Sequence, residues 1–227
     1  MSLRLRPSLL ASTLLASALL ASALLCLGVA SPSHAASLEA TPCDISDQWS
    51  DLYGDDLIQA AKAGHASAQY SLGLEYDAGS DEYEQDYEKA AYWYRKAAEQ
   101  GHACAQYNLG NAYDNGDGVE KDAEKAVFWY QKAVDQGDKD AQYNLAIMYE
   151  NGTGVTRSYK TAFALYLKSA EQGDVDAQFE VAESYAKGRG VAKNPAQARA
   201  WYQKAADQGH EEAEEKLSAM PELAPSI

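Results

Sequence analysis

A glycine followed four residues later by Ala-Gln-aromatic returns along this chain at a nearly constant interval, and that constancy restricts the fold more than any compositional average. The starts are Gly64, Gly101, Gly137 and Gly173, each leading to Ala68-Gln69-Tyr70, Ala105-Gln106-Tyr107, Ala141-Gln142-Tyr143 and Ala177-Gln178-Phe179 in turn. A worn fifth start stands at Gly209, ahead of Ala213-Glu214-Glu215. The glycines are 37, 36, 36 and 36 residues apart. A tandem unit of that size cannot bury its apolar face alone and does so by stacking on its neighbours, which makes a solenoid.

The second unit shows how each copy is built. In Ala103–Tyr113 the residues Ala105, Leu109 and Ala112 step by four and three, so they share one helical face. Beyond Gly116-Asp-Gly-Val119, Ala126, Tyr130 and Ala133 step the same way. Each unit is therefore expected to be an antiparallel helix pair. Gly116 stands where a left-handed residue would cap the first helix, and Asp122 suits the positive end of the second. The turn recurs at Gly152-Thr-Gly-Val155 and Gly188-Arg-Gly-Val191, and Asn194-Pro195 supplies a cap with proline at the first helical position. Gly73, Gly110, Ala146 and Ala182 are equivalent small residues, placed where two helices approach closely.

These residues resemble the Sel1-like repeat family, a relative of the tetratricopeptide repeats. The family pattern stands nearly intact at 103–137 and recognisably at 66–101, 139–173 and 175–209. The resemblance implies an all-α fold, a right-handed α/α superhelix, and a role in protein–protein interaction or scaffolding without catalysis. It assigns repeats at about 66–102, 103–138, 139–174 and 175–210 within a repeat domain over 56–220. Asp56 to His65 reads as an isolated second helix and Glu211 to Ala219 as an isolated first helix, capping the two ends of the stack. Unit one departs from the pattern at Gly79-Ser-Asp-Glu-Tyr-Glu-Gln-Asp86, and unit three has Tyr166-Leu167 where others carry aromatic pairs.

The ends set the expected compartment. Arg4 and Arg6 precede an uncharged apolar run from Ser8 to Ala30, and Ser33-His34-Ala35 offers small residues for a cut before Ala36. Residues 1–35 read as a signal peptide, 36–55 as an N-terminal extension and 221–227 as a short tail. The run is also long enough for an uncleaved anchor, so both forms stay open. A periplasmic or secreted location is expected. The formal charge of −15 argues against nucleic acid or anionic lipid as partner and would attract a basic one. Cys43 and Cys104 remain after such a cut. They are either one disulfide, tying the N-terminal segment to the first full repeats, or two free thiols.

Candidate chemistry is sparse. His65, His102 and His210 each follow a repeat glycine, where Asp138 and Asp174 stand in other units, so they are whole repeats apart and read as helix starts rather than metal ligands. No metal, cofactor or catalytic constellation is expected. The acidic stretch Asp77, Asp81, Glu82, Glu84 and Asp86 lacks the spacing of a calcium loop and reads as a solvated segment. Ser184-Tyr-Ala-Lys187 matches Ser-x-x-Lys without its partner motifs. Cysteine-rich members of the family that this chain resembles are linked to β-lactam binding. A β-lactam-interacting hydrolase is thus the alternative reading, although the cysteine pair of each repeat is missing here.

The binding residues expected on the surface are of two kinds. Trp93, Trp129 and Trp201 lie at the margin of the second-helix packed face and are either interface anchors or staples between repeats. Asn108, Asn111, Asn144 and Glu183 are first-helix positions that the solenoid reading places along a concave groove.

Overall fold

A computed structural model describes residues 53–220 of the protein. The expected signal peptide over 1–35, most of the expected N-terminal extension with Cys43, and the expected tail at 221–227 lie outside the described residues. Among those described there are ten α-helices and no strand. The first, α1 (Gly54–Lys62), stands alone. Four helix pairs follow: α2 (Ala66–Ala78) with α3 (Tyr87–Glu99), α4 (Ala103–Asn115) with α5 (Ala123–Val134), α6 (Lys139–Asn151) with α7 (Tyr159–Glu171), and α8 (Val175–Lys187) with α9 (Pro195–Ala206). A single helix, α10 (Glu211–Ala219), ends the series. Each helix packs on the next in chain order, as a solenoid requires.

Both helix types have local causes. Second helices begin at Asp86, Asp122, Ser158 and Asn194, whose side chains accept the backbone N–H three residues on. First helices begin at the residue after the repeat glycine. There the imidazoles of His102 and His210, and the carboxylates of Asp138 and Asp174, accept from Ala105, Ala213, Ala141 and Ala177. His102 and His210 are therefore caps, and both also stack on a first-helix ring, His102 on Tyr70 and His210 on Phe179. Gly116, Gly152 and Gly188 close α4, α6 and α8 in the left-handed conformation.

The second glycine of each turn joins neighbouring units. A Cβ on Gly118 would lie 1.9 Å from the Tyr87 carbonyl oxygen, and one on Gly190 would lie 2.0 Å from that of Tyr159. Each turn is thus pressed onto the start of the preceding unit's second helix, which requires a residue without a side chain.

The core is a continuous file of small and medium residues running from repeat to repeat. Tyr94, Tyr130, Tyr166 and Tyr202 are its buried second-helix rings. Tyr94 and Tyr130 lie so close to Gly73 and Gly110 that a Cβ at either glycine would come within 2.6 Å of the ring. A smaller cluster around Leu57, Ala61, Ala68 and Leu72 seats α1 on α2.

Candidate functional site

Two adjoining clefts open on the first-helix side of the stack. One, with about 320 Å³ of atom-free space partly open to solvent, is lined by Asp77, Tyr87, Tyr94, Asn108, Asn111 and Asp117, among others. The second is lined by Asn111, Asp114, Asn115, Tyr130, Asn144 and Met148, with Ile147 beside them. Asn111 belongs to both, so the clefts run on from each other across units one to three.

The repeat dictates this polar floor. Second-helix tyrosines bury their rings and must spend their hydroxyls at the groove. Tyr94 donates to Asp77 Oδ2 at 2.9 Å, Tyr130 to Asn111 Oδ1 at 2.6 Å, and Tyr166 to Glu150 Oε2 at 2.9 Å. Tyr202 donates to Glu183. Asn144 donates to the same Oδ1 of Asn111 at 3.1 Å, which leaves the Asn111 amide N–H groups without a partner among the described residues. Burial pushes the Tyr94 and Tyr130 hydroxyls up, and the neighbouring carboxylates Asp77 and Asp114 push them further. They therefore stay protonated donors at physiological pH. For Tyr143 the same causes, burial and then Asp176 and Glu180, reach about 12.

The expected binding residues divide in their placement. Asn108, Asn111 and Asn144 are half-buried and line the clefts. Glu183 is buried instead of lining an open groove, because Tyr202 donates to it and Lys187 and Lys216 pair with it. Burial pushes its carboxyl up, but the bonds from Lys187 and Tyr202 outweigh that and hold it below its usual value. Trp201 is buried too, at 8% exposure, with the Lys204 ammonium 3.6 Å from its ring centre as a cover. Trp93 and Trp129 are half-buried, packed edge to face against Tyr92 and Phe128. Tyr92 and Phe128, each about half exposed, are the rings of those runs that face solvent.

Sequence reasoning passed over Asp77, Asp114, Asp117 and Tyr87 as cleft residues. The signal was present, because Asp77, Asp114 and Glu150 occupy one position of the repeat. Cys104 is buried and disulfide-bonded. The chain's other cysteines, Cys26 and Cys43, lie outside the described residues. Ser184 is buried, and its neighbour Lys187 is engaged by Glu183. No group of three metal-ligating side chains occurs among the described residues.

A stack of helix pairs with a cleft lined by first helices and floored by second-helix tyrosines defines an α-solenoid of the helix-hairpin class. The family model for the Sel1 repeat matches residues 66–102, 105–138, 139–174 and 175–210, and the chain belongs to the Sel1 repeat family. The chain is similar to a protective antigen present in uropathogenic Escherichia coli strains that displays an SLR fold. The identity is 39% and the TM-score 0.72, over 75% of this chain and 36% of that one. It is also similar to a Sel1 repeat protein from Oxalobacter formigenes, at 36% identity and TM-score 0.65, over 71% of this chain and 64% of that one. The chain thus spans about a third of the length of the first and under two thirds of the second. No curated protein matches.

Proposed function

We propose that this protein is an exported, non-catalytic Sel1-repeat protein that binds another polypeptide, or scaffolds several, through the cleft of units one to three. The observation that carries this is the pair of clefts sharing Asn111. They supply amide donors and acceptors along a line, the pattern that satisfies the backbone of an extended segment. Arg4 and Arg6 ahead of an uncharged run support export to the periplasm or beyond. No helix of the described residues is long and apolar enough to cross a membrane. The negative charge favours a protein partner over nucleic acid.

The experiment is affinity capture from native envelope and secreted fractions with the immobilised protein, beside variants Asn108→Ala and Asn111→Ala that keep their helical circular dichroism. A polypeptide captured by the parent and lost from both variants supports the reading. A polypeptide captured equally by all three removes the cleft from the account, and no polypeptide at any accessible concentration removes the function.

A further inference from the structure

The three repeat junctions bring together one acidic first-helix position and one turn residue, and the three pairs differ in charge. In the last junction Glu150 meets Arg189, the middle residue of Gly188-Arg-Gly190. The Arg189 guanidinium donates to Glu150 Oε1 at 2.7 Å, while Tyr166 donates to Oε2 of the same carboxylate. In the first junction the equivalent carboxylate is Asp77, and its Oδ2 likewise accepts from the second-helix tyrosine, Tyr94. The equivalent turn residue, however, is Asp117, in Gly116-Asp-Gly118. Both carboxylates line the same cleft. Asp117 accepts only from the amide of Asn115, and no Lys or Arg pairs with Asp77, Asp117 or Asp114 among the described residues. In the middle junction the equivalent positions are Asp114 and Thr153, and Thr153 has no charge.

The last junction therefore contains, within the same molecule, the group that the first one lacks. We infer that the Asp77–Asp117 cleft takes the guanidinium or ammonium head of an Arg or Lys side chain on a bound polypeptide, in the way that Arg189 occupies the junction at Glu150. The inference rests on the polypeptide-binding reading above and names the chemistry of the segment bound. Three features fit a cation of that size. Asp77 keeps one carboxylate oxygen with no partner among the described residues while the Tyr94 hydroxyl holds the other in place. A second carboxylate comes from the facing turn, so two charges converge on one cation. Tyr87 also lines the cleft, and its partly exposed ring is of the kind on which a guanidinium stacks well. Charge-assisted bonds to a carboxylate in a partly dry cleft are the strong kind. The neighbouring Asn108 and Asn111 amides are then placed for the backbone on either side of the basic residue.

The test uses the full chain and two pools of random dodecapeptides, one with a fixed central arginine and one with citrulline there, which keeps the shape and loses the charge. Binding is followed by fluorescence anisotropy for the parent, Asp77→Asn, Asp117→Asn, Asp117→Arg and Arg189→Asp. The expected result is preference for the arginine pool by about tenfold, as one charge-assisted pair allows. That preference should fall away in both Asn variants. It should vanish in Asp117→Arg, whose new guanidinium fills the cleft from within as Arg189 does at Glu150. Arg189→Asp should gain a second arginine-preferring site. Equal binding of both pools, abolished by Asn111→Ala, would overturn the cation assignment and leave the polypeptide cleft standing. Binding of neither pool, by a protein with intact helical signal, would count against both.

Discussion

Gln136 donates its side-chain amide to Oε1 of Gln106 at 2.7 Å, and this bond recurs within each of the four units. Gln100 reaches Gln69, Gln172 reaches Gln142 and Gln208 reaches Gln178. The acceptor glutamines are buried, and Gln69, Gln106 and Gln178 pass their own amide on to the carbonyls of Ala61, Ala98 and Ala170. The Ala-Gln of the repeat is therefore a polar spine that ties the end of one second helix to the first helices on both sides of it.

Gln106→Leu should therefore destabilise the stack although it adds apolar volume. It leaves the Ala98 carbonyl and the Gln136 amide without their partner, at about 1–3 kcal/mol for the buried group. Urea unfolding followed by circular dichroism measures this. An unchanged midpoint would show that the spine contributes nothing beyond its methylenes.

Gly110→Val tests the close approach of α4 and α5. The added Cβ would meet the Tyr130 ring at 2.6 Å, too near for any contact without movement. Alanine already stands at the matching Ala146 and Ala182, so small displacement of the ring is affordable in the repeat, whereas a branched side chain overpacks. A loss of about 1–3 kcal/mol in the same unfolding assay is expected.

Most of the scaffold was legible because it repeats. A feature that returns at fixed spacing, such as the Ala-Gln pair in four units or the Gly-x-Gly turn in three, separates architecture from accident. The site was less legible, because function lies in what differs between copies. Nothing in the local sequence around Asp117 distinguishes it from Thr153 or Arg189 as a turn residue. Its meaning comes from Asp77, forty residues earlier, which only stacking brings alongside. The tryptophans show the same limit. Trp93, Trp129 and Trp201 share a position, yet Lys204 covers one of them while Tyr92 and Phe128 flank the others.

The disulfide at Cys104 makes a chemical prediction. Digestion without reductant should yield a Cys104 peptide joined to one containing Cys43, and reduction should separate them. A link to Cys26 instead would place the apolar N-terminal run in the folded molecule. A loop of this length typically stabilises by about 2–4 kcal/mol, so reductant should lower the unfolding midpoint. The loss should be greatest for probes in α1 to α4, since Cys104 lies at the start of α4.

Glu180 gives the protein a pH dependence whose sign can be worked out. Burial pushes its carboxyl up, and the charges of Glu150 and Glu183 push it further, against the pull of Arg189 and Lys187. A carboxyl raised in the folded state binds its proton more tightly there than in the unfolded chain. Stability from this residue is thus full below the ordinary glutamate value of 4.5 and declines as pH rises through the folded value. Glu180→Gln removes the charge and keeps the shape, so it should raise the thermal midpoint at neutral pH. Its advantage should shrink as the pH is lowered and disappear under acid conditions, where the parent carboxyl is already neutral. Thermal unfolding of both proteins between pH 4 and pH 8 measures the difference. A constant gap across that window would mean that the carboxyl titrates alike in the folded and unfolded chain, and a Gln variant that loses ground as the pH rises would mean that Arg189 and Lys187 stabilise the anion and outweigh burial.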